Sequence, residues 1–117
     1  MTIEINQTEF SKRLVVLSIS GRITAATAPE IKNQISSLIS SGHIDLVLDL
    51  SKTTFIDSSG LSAIVSGLKR VREADGSLKL ACLQGDVQSI FKLTMLDRVF
   101  EMYSTVEAAA DSLTTKE

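Results

Sequence analysis

The sequence predicts an α/β domain: a mixed sheet of four to five strands with helices packed mainly on one face. Three observations carry that expectation. Stretches with a two-residue apolar period alternate with stretches of helical period, in the order β-β-α-β-α-β-α-(β)-α. Such an order demands crossover connections, and hence parallel neighbours in the interior of the sheet. Within HIDLVLDL, Ile44, Leu46, Leu48 and Leu50 alternate with Asp45, Val47 and Asp49, a pattern of one dry face and one wet face.

The first two strands are TIEIN, with Ile3 and Ile5 on one side, and LVVLSIS, joined through the polar FSKR. That spacing suits an antiparallel hairpin. Gly21 is expected to end the second strand and open a loop, GRITAAT. A helix follows, with Thr27 as N-cap, Pro29 in the first turn where its missing N–H costs nothing, and Glu30 near the positive helix end. Ile31, Ile35, Leu38 and Ile39 form its apolar stripe, and SSG at 40–42 stops it.

After the Leu-rich strand and FID, a second helix carries Leu61, Ile64, Val65, Leu68 and Val71, ending at ADG 74–76. Val65 suits either the sheet or a partner. LKLACL repeats the strand alternation more weakly, with Lys79 on the wet side. A third helix, roughly DVQSIFKLTML, offers Val87, Ile90, Phe91 and Leu93; RVFEMY reads as a short strand; VEAAADSL, capped by Ser104 or Thr105, reads as the last helix. Met95 and Met102 are expected to pack beneath that last helix, and Tyr103 and the four phenylalanines to lie in the core or at its edge.

Composition narrows the function. With 117 residues, 44% hydrophobic and 22% charged, the chain is large enough for one globular domain, residues 1–117, and too apolar for disorder. A net charge of −2, with Lys69, Arg70 and Arg72 as the densest basic stretch, argues against direct nucleic-acid binding. No apolar run reaches the roughly 20 residues of a membrane span, and MTIEINQTEF lacks the regions of a signal peptide. A single cysteine, Cys82, forbids an internal disulfide and suits a cytoplasmic protein; inside LKLACL it is expected to be buried and inert. One histidine, His43, and no Cys/His ligand spacing leave no metal site, and no cofactor motif is present.

The polar cluster in FIDSSGL stands where a strand must become a helix. A helix start has free N–H groups and partial positive charge, so Asp57 or Ser58 as cap is the bland explanation, with Ser59 helping and Gly60 permitting a tight turn. A catalytic serine needs a base and a group to orient it. His43 precedes a strand running toward this turn and belongs at the opposite end, and neither G-x-S-x-G nor a phosphate-binding G-x-x-x-x-G-K-[ST] occurs. Catalysis is therefore not expected. Phosphorylation is: phosphate suits a helix N-terminus, and its charge of about −1.5 to −2 beside Asp57 changes the surface without refolding the chain.

FIDSSGL after a Leu-rich strand, followed by an apolar helix and KRVREADG, resembles the STAS domain family, and in particular its stand-alone anti-sigma factor antagonists. The resemblance extends through GRITAATAPEI and LTMLDRVFEMYSTVEAAADSL. It implies a STAS-like fold and a non-catalytic, phosphorylation-switched regulator of transcription. Ser58 would be the phosphoacceptor, with Asp57, Ser59 and Gly60 as its neighbours and Gly60 leaving room for a partner's approach. It implies as partners an anti-sigma factor that is also a serine kinase, bound by the unmodified form so that the sigma factor is freed, and a PP2C-type phosphatase. Partner contacts are expected from Arg22, Thr24, Thr27 and Leu61. The family often carries G-E-[LI]-D-x-x-T-A where this chain reads GRITAATA, so Arg22 and Thr24 replace acidic residues. The alternative is a scaffold or small-ligand-binding STAS module that is never phosphorylated.

Overall fold

A computed structural model describes residues 3–114. Its elements are β1 Glu4–Glu9, β2 Leu14–Ile23, α1 Ala28–Ser40, β3 Asp45–Asp49, β4 Thr53–Ile56, α2 Ser58–Glu73, β5 Ser77–Ala81, α3 Gly85–Leu93, a 3-10 turn Leu96–Arg98, β6 Met102–Tyr103 and α4 Val106–Thr114. The strands form a mixed sheet in the order β1-β2-β3-β5-β6, with β4 paired to β2 off that path. β1 and β2 are the antiparallel hairpin; every other pairing is parallel, as the crossovers require. Thr2, at the start of the first strand pattern, lies outside the described residues.

The sixth strand is β4. Only four residues long, it follows β3 after a three-residue turn, so from the sequence it merges into the approach to FID. It has a partner because β2 does not end at Gly21. With φ +112°, Gly21 sits at a shift of register, and the last three residues of β2 pair with β4 instead of β3. Glycine adopts that φ without the steric penalty a Cβ would bring.

The larger core lies on one face. There Val15, Leu17, Ile19, Leu46, Leu48, Leu78 and Leu80 of the sheet meet Ile31 and Ile35 of α1, Ile64, Leu68 and Val71 of α2, and Val87 and Phe91 of α3. Phe100 meets Phe91 edge-on, with ring centroids 5.9 Å apart. The opposite face is not wet. Leu14, Val16, Val47 and Ala81 are covered by Ala109, Ala110 and Leu113 of α4. Asp45 and Lys79 are buried on that side, the first paired with Arg13 at 3.3 Å and the second with Glu101. The alternating charges of β3 and β5 misled because a small, Ala-rich helix covers the sheet, and ion pairs compensate the two charges beneath it.

Other expectations change with the same packing. α3 stops at Leu93, which is 83% exposed, and Met95, 60% exposed, takes a left-handed conformation leading into the 3-10 turn. Met102 packs against the larger core rather than under α4, and RVFEMY is strand only at Met102 and Tyr103. Phe10 is exposed in the β1–β2 connection, while Tyr103 sits at the edge of the smaller core. Thr105 rather than Ser104 caps α4, accepting from the Ala108 amide at 3.1 Å. Cys82 is half-buried rather than fully buried; burial first, then the Asp49 charge, pushes its thiol above the ordinary 9.0.

Candidate functional site

The strand-to-helix turn is organised by Asp57. Its backbone is extended, its Oδ1 accepts from the Gly60 N–H at 2.9 Å, and its carbonyl accepts the first helical bond, from Leu61. That is an N-cap, and it belongs to Asp57 and not to Ser58 or Ser59. Oδ2 reaches away from the helix and accepts from the Ala25 N–H at 3.3 Å. The Asp57 N–H in turn donates to the carbonyl of Ile23. Asp57 thus joins three segments: its own helix, the end of β2, and the loop leading to α1.

That loop is tied from within. The buried Thr27 hydroxyl donates to the Arg22 carbonyl at 2.7 Å and accepts from the Thr24 N–H at 2.9 Å. Thr27 occupies the N-cap position of α1 but makes no capping bond to the helix; its side chain closes the loop instead. The Thr24 hydroxyl accepts from the Ala26 N–H at 3.2 Å. Arg22 is exposed and lays its guanidinium over the Phe55 ring, 4.2 Å from the centroid. Of the four residues expected to meet a partner, Arg22 presents its side chain to solvent; Thr24 and Leu61 are half-buried and Thr27 is buried.

On this frame Ser58 is exposed at the first position of α2, and Ser59 is half-buried behind it. Gly60 faces inward. A Cβ there would lie 2.7 Å from the Ile23 carbonyl oxygen, from Ile23 Cγ2 and from Ile56 Cγ1. The glycine lets the first turn of α2 sit against β2 and β4, and leaves nothing open to an approaching partner. Beside Ser58 is an open hollow of about 360 Å³, lined by Ala25, Ala28, Pro29, Lys32, Ser58, Ser59 and Ser62. Val65 is partly exposed two turns along α2.

His43 is remote from this site. It precedes β3, whose Asp45 pairs with Leu14 at the start of β2, and its Nε2 lies 3.6 Å from Glu9 Oε1. Asp57 bonds to Ile23 at the other end of β2, roughly 30 Å away at about 3.3 Å per strand residue. The only imidazole therefore does not reach Ser58. No helix among the described residues is long and apolar enough to cross a membrane. The double role of Asp57 was invisible in the sequence, since nothing local to FIDSSGL marks Ala25 as its second donor.

Comparison with known proteins shows the family and the fold. Residues 6–109 match the STAS domain family. The chain is 28% identical over 102 residues to the anti-sigma-B factor antagonist of Listeria monocytogenes, covering 87% of this chain and 90% of that protein. An anti-sigma factor antagonist from Mycobacterium paratuberculosis superposes with a TM-score of 0.83 at 26% identity, over 96% of this chain and 94% of the other. SpoIIAA of Bacillus, solved in its phosphorylated form, superposes at 0.74 and 20% identity, over 93% of this chain and 98% of its own, a likeness of fold.

Proposed function

The chain belongs to the STAS domain family, and from that premise we propose that it is an anti-sigma factor antagonist switched by phosphorylation of Ser58. The unmodified form binds an anti-sigma factor that is also a serine kinase and thereby frees the sigma factor. In the transfer step the Ser58 oxygen bonds to the γ-phosphorus of ATP, the β,γ-bridging oxygen leaves with ADP, and the hydroxyl proton passes to a base of the kinase. A PP2C-type phosphatase reverses the step. The protein acts in the cytoplasm as one domain spanning residues 1–117, contacts neither nucleic acid nor membrane, and catalyses nothing itself.

The observation that carries this reading is an exposed hydroxyl on an ordered turn: Ser58 faces solvent while Asp57 fixes the helix start beneath it. A phosphoryl group fits there without disturbing the core, and it places a second negative charge beside the Asp57 carboxylate. A partner covering the turn would then have to bury unmatched charge, which costs several kcal/mol, and each 1.4 kcal/mol is about tenfold in affinity. The anti-sigma factor antagonist relatives support the role, and the phosphorylated form of SpoIIAA shares the fold. Arg22, Thr24 and Leu61 surround the turn as the partner face, with Thr27 holding its shape from inside. Because Arg22 is a cation where the family often has an acid, the partner surface opposite it is expected to be acidic or polar. Ser58 is not a nucleophile in its own right, since the only histidine lies at the far end of β2.

The test is to incubate the protein with its anti-sigma factor and ATP and to follow intact mass with site mapping. One phosphate on wild type and none on Ser58→Ala supports the reading. No incorporation with a competent partner would leave the unphosphorylated scaffold in its place.

A further inference from the structure

We propose that Lys32 is the cation that receives the phosphoryl group on Ser58, so that the modified side chain is held in the hollow between α1 and α2. The inference rests on Ser58 as phosphoacceptor and names the residue that would read the modification. Among the described residues, Lys32 is the one charged residue lining the hollow that Ser58, Ser59 and Ser62 also line. Its amine makes no ion pair or hydrogen bond with any described residue. The other charges nearby are engaged. Arg22 lies over Phe55, Arg70 donates to Ser36, and both Asp57 oxygens are taken by the Gly60 and Ala25 amides. Glu30, in the first turn of α1, does not line the hollow.

The Gly60 amide is the donor a phosphate at a helix start would ordinarily seek, and Asp57 already occupies it. A phosphoryl group on Ser58 therefore stands beside a carboxylate, and a cation across the hollow on α1 would offset that repulsion. A lysine on a flexible four-carbon stem is suited to supply it as a point charge. Before modification the same amine is free for a carboxylate of the partner. Phosphorylation would then act twice, adding repulsion and removing a cation from the interface.

The test uses full-length protein with phosphoserine installed at position 58 during translation, so that no kinase is needed. Phosphorus NMR follows the second ionisation of the phosphoserine, ordinarily near about 6. In the unsubstituted background it should titrate roughly 0.5 unit or more below its value in Lys32→Gln, a solvent-screened fraction of the shift a close cation produces. Lys32→Arg should restore the lower value, and Lys12→Gln, in the distant β1–β2 connection, should leave it unchanged. Amine-reactive labelling of Lys32 should also slow in the phosphoserine form. Equal titration in Lys32→Gln and Lys12→Gln, or unchanged labelling, would overturn the assignment. Failure of a kinase to modify Ser58 would instead overturn the phosphoacceptor reading and leave this titration standing.

Discussion

The Asp57 carboxylate accepts a hydrogen bond from the Ala25 amide at 3.3 Å, across 32 residues of chain. The contact links the start of α2 to the loop that follows β2, while the other oxygen of the same carboxylate caps the helix. Asp57→Ala removes both. Loss of an N-cap costs about 0.5–2 kcal/mol, and the loop contact adds to it, so the upper half of that range is expected in denaturant melts. Asp57→Asn keeps one acceptor for Gly60 and turns an N–H₂ toward Ala25. Its melt should lie closer to wild type, while the Ala25 amide exchanges with solvent faster. Equal stability of Asp57→Ala and wild type would contradict a stabilising role for these two hydrogen bonds.

Gly60→Ala sets two effects against each other. Alanine in a helix gains about 1 kcal/mol over glycine. Its methyl, however, would lie 2.7 Å from a main-chain carbonyl and from two buried side chains. Overpacking of that kind costs about 1–3 kcal/mol, and a carbonyl held by the Asp57 amide yields less than a side chain. The clash should win, with a lower unfolding midpoint despite the better helix former.

Ser58→Asp should leave the far-UV spectrum unchanged and the melting temperature equal or slightly raised. A carboxylate in the first turn of a helix stabilises it by about 0.3–1 kcal/mol. Binding to the anti-sigma factor, followed by titration calorimetry, should weaken by at least tenfold. Unfolding of this variant, or wild-type affinity, would remove the basis for a local charge switch on an ordered scaffold.

Cys82 should alkylate slowly at pH 8, because burial and Asp49 hold its thiol protonated above the ordinary 9.0. The folded form retains its proton where the unfolded form has lost it. The associated stability is thus fully present below about pH 9 and declines as pH rises through the folded value. Iodoacetamide rates against pH, compared in native and denaturing buffer, check both statements.

Much of the architecture was legible because it depends on periodicity. The hairpin, the crossovers and the apolar stripes of α1 and α2 follow from spacing alone. β4 was not, since four residues after a short turn carry too little pattern to separate from their surroundings. The face beneath α4 was misread for a different reason: Asp45 and Lys79 look solvated in a strand, and only tertiary structure supplies Arg13 and Glu101 as their partners. Around the site, Ser58 and Asp57 stood out through their position between strand and helix. The inward role of Gly60 and the buried role of Thr27 depend on Ile23, Ile56 and the Arg22 carbonyl, which the local motif does not contain.

Because the frame around Ser58 is assembled from β2, the loop after it and α2, the site exists only in a finished chain. A peptide reproducing residues 55–64 has the serine but lacks Ala25, Ile23 and Thr27. It would fray, leaving Asp57 without its second donor and the helix below the length at which short segments persist in water. An enzyme that recognises the ordered turn would pass over nascent and unfolded copies. Modification would then report the number of properly folded molecules rather than the amount of polypeptide made.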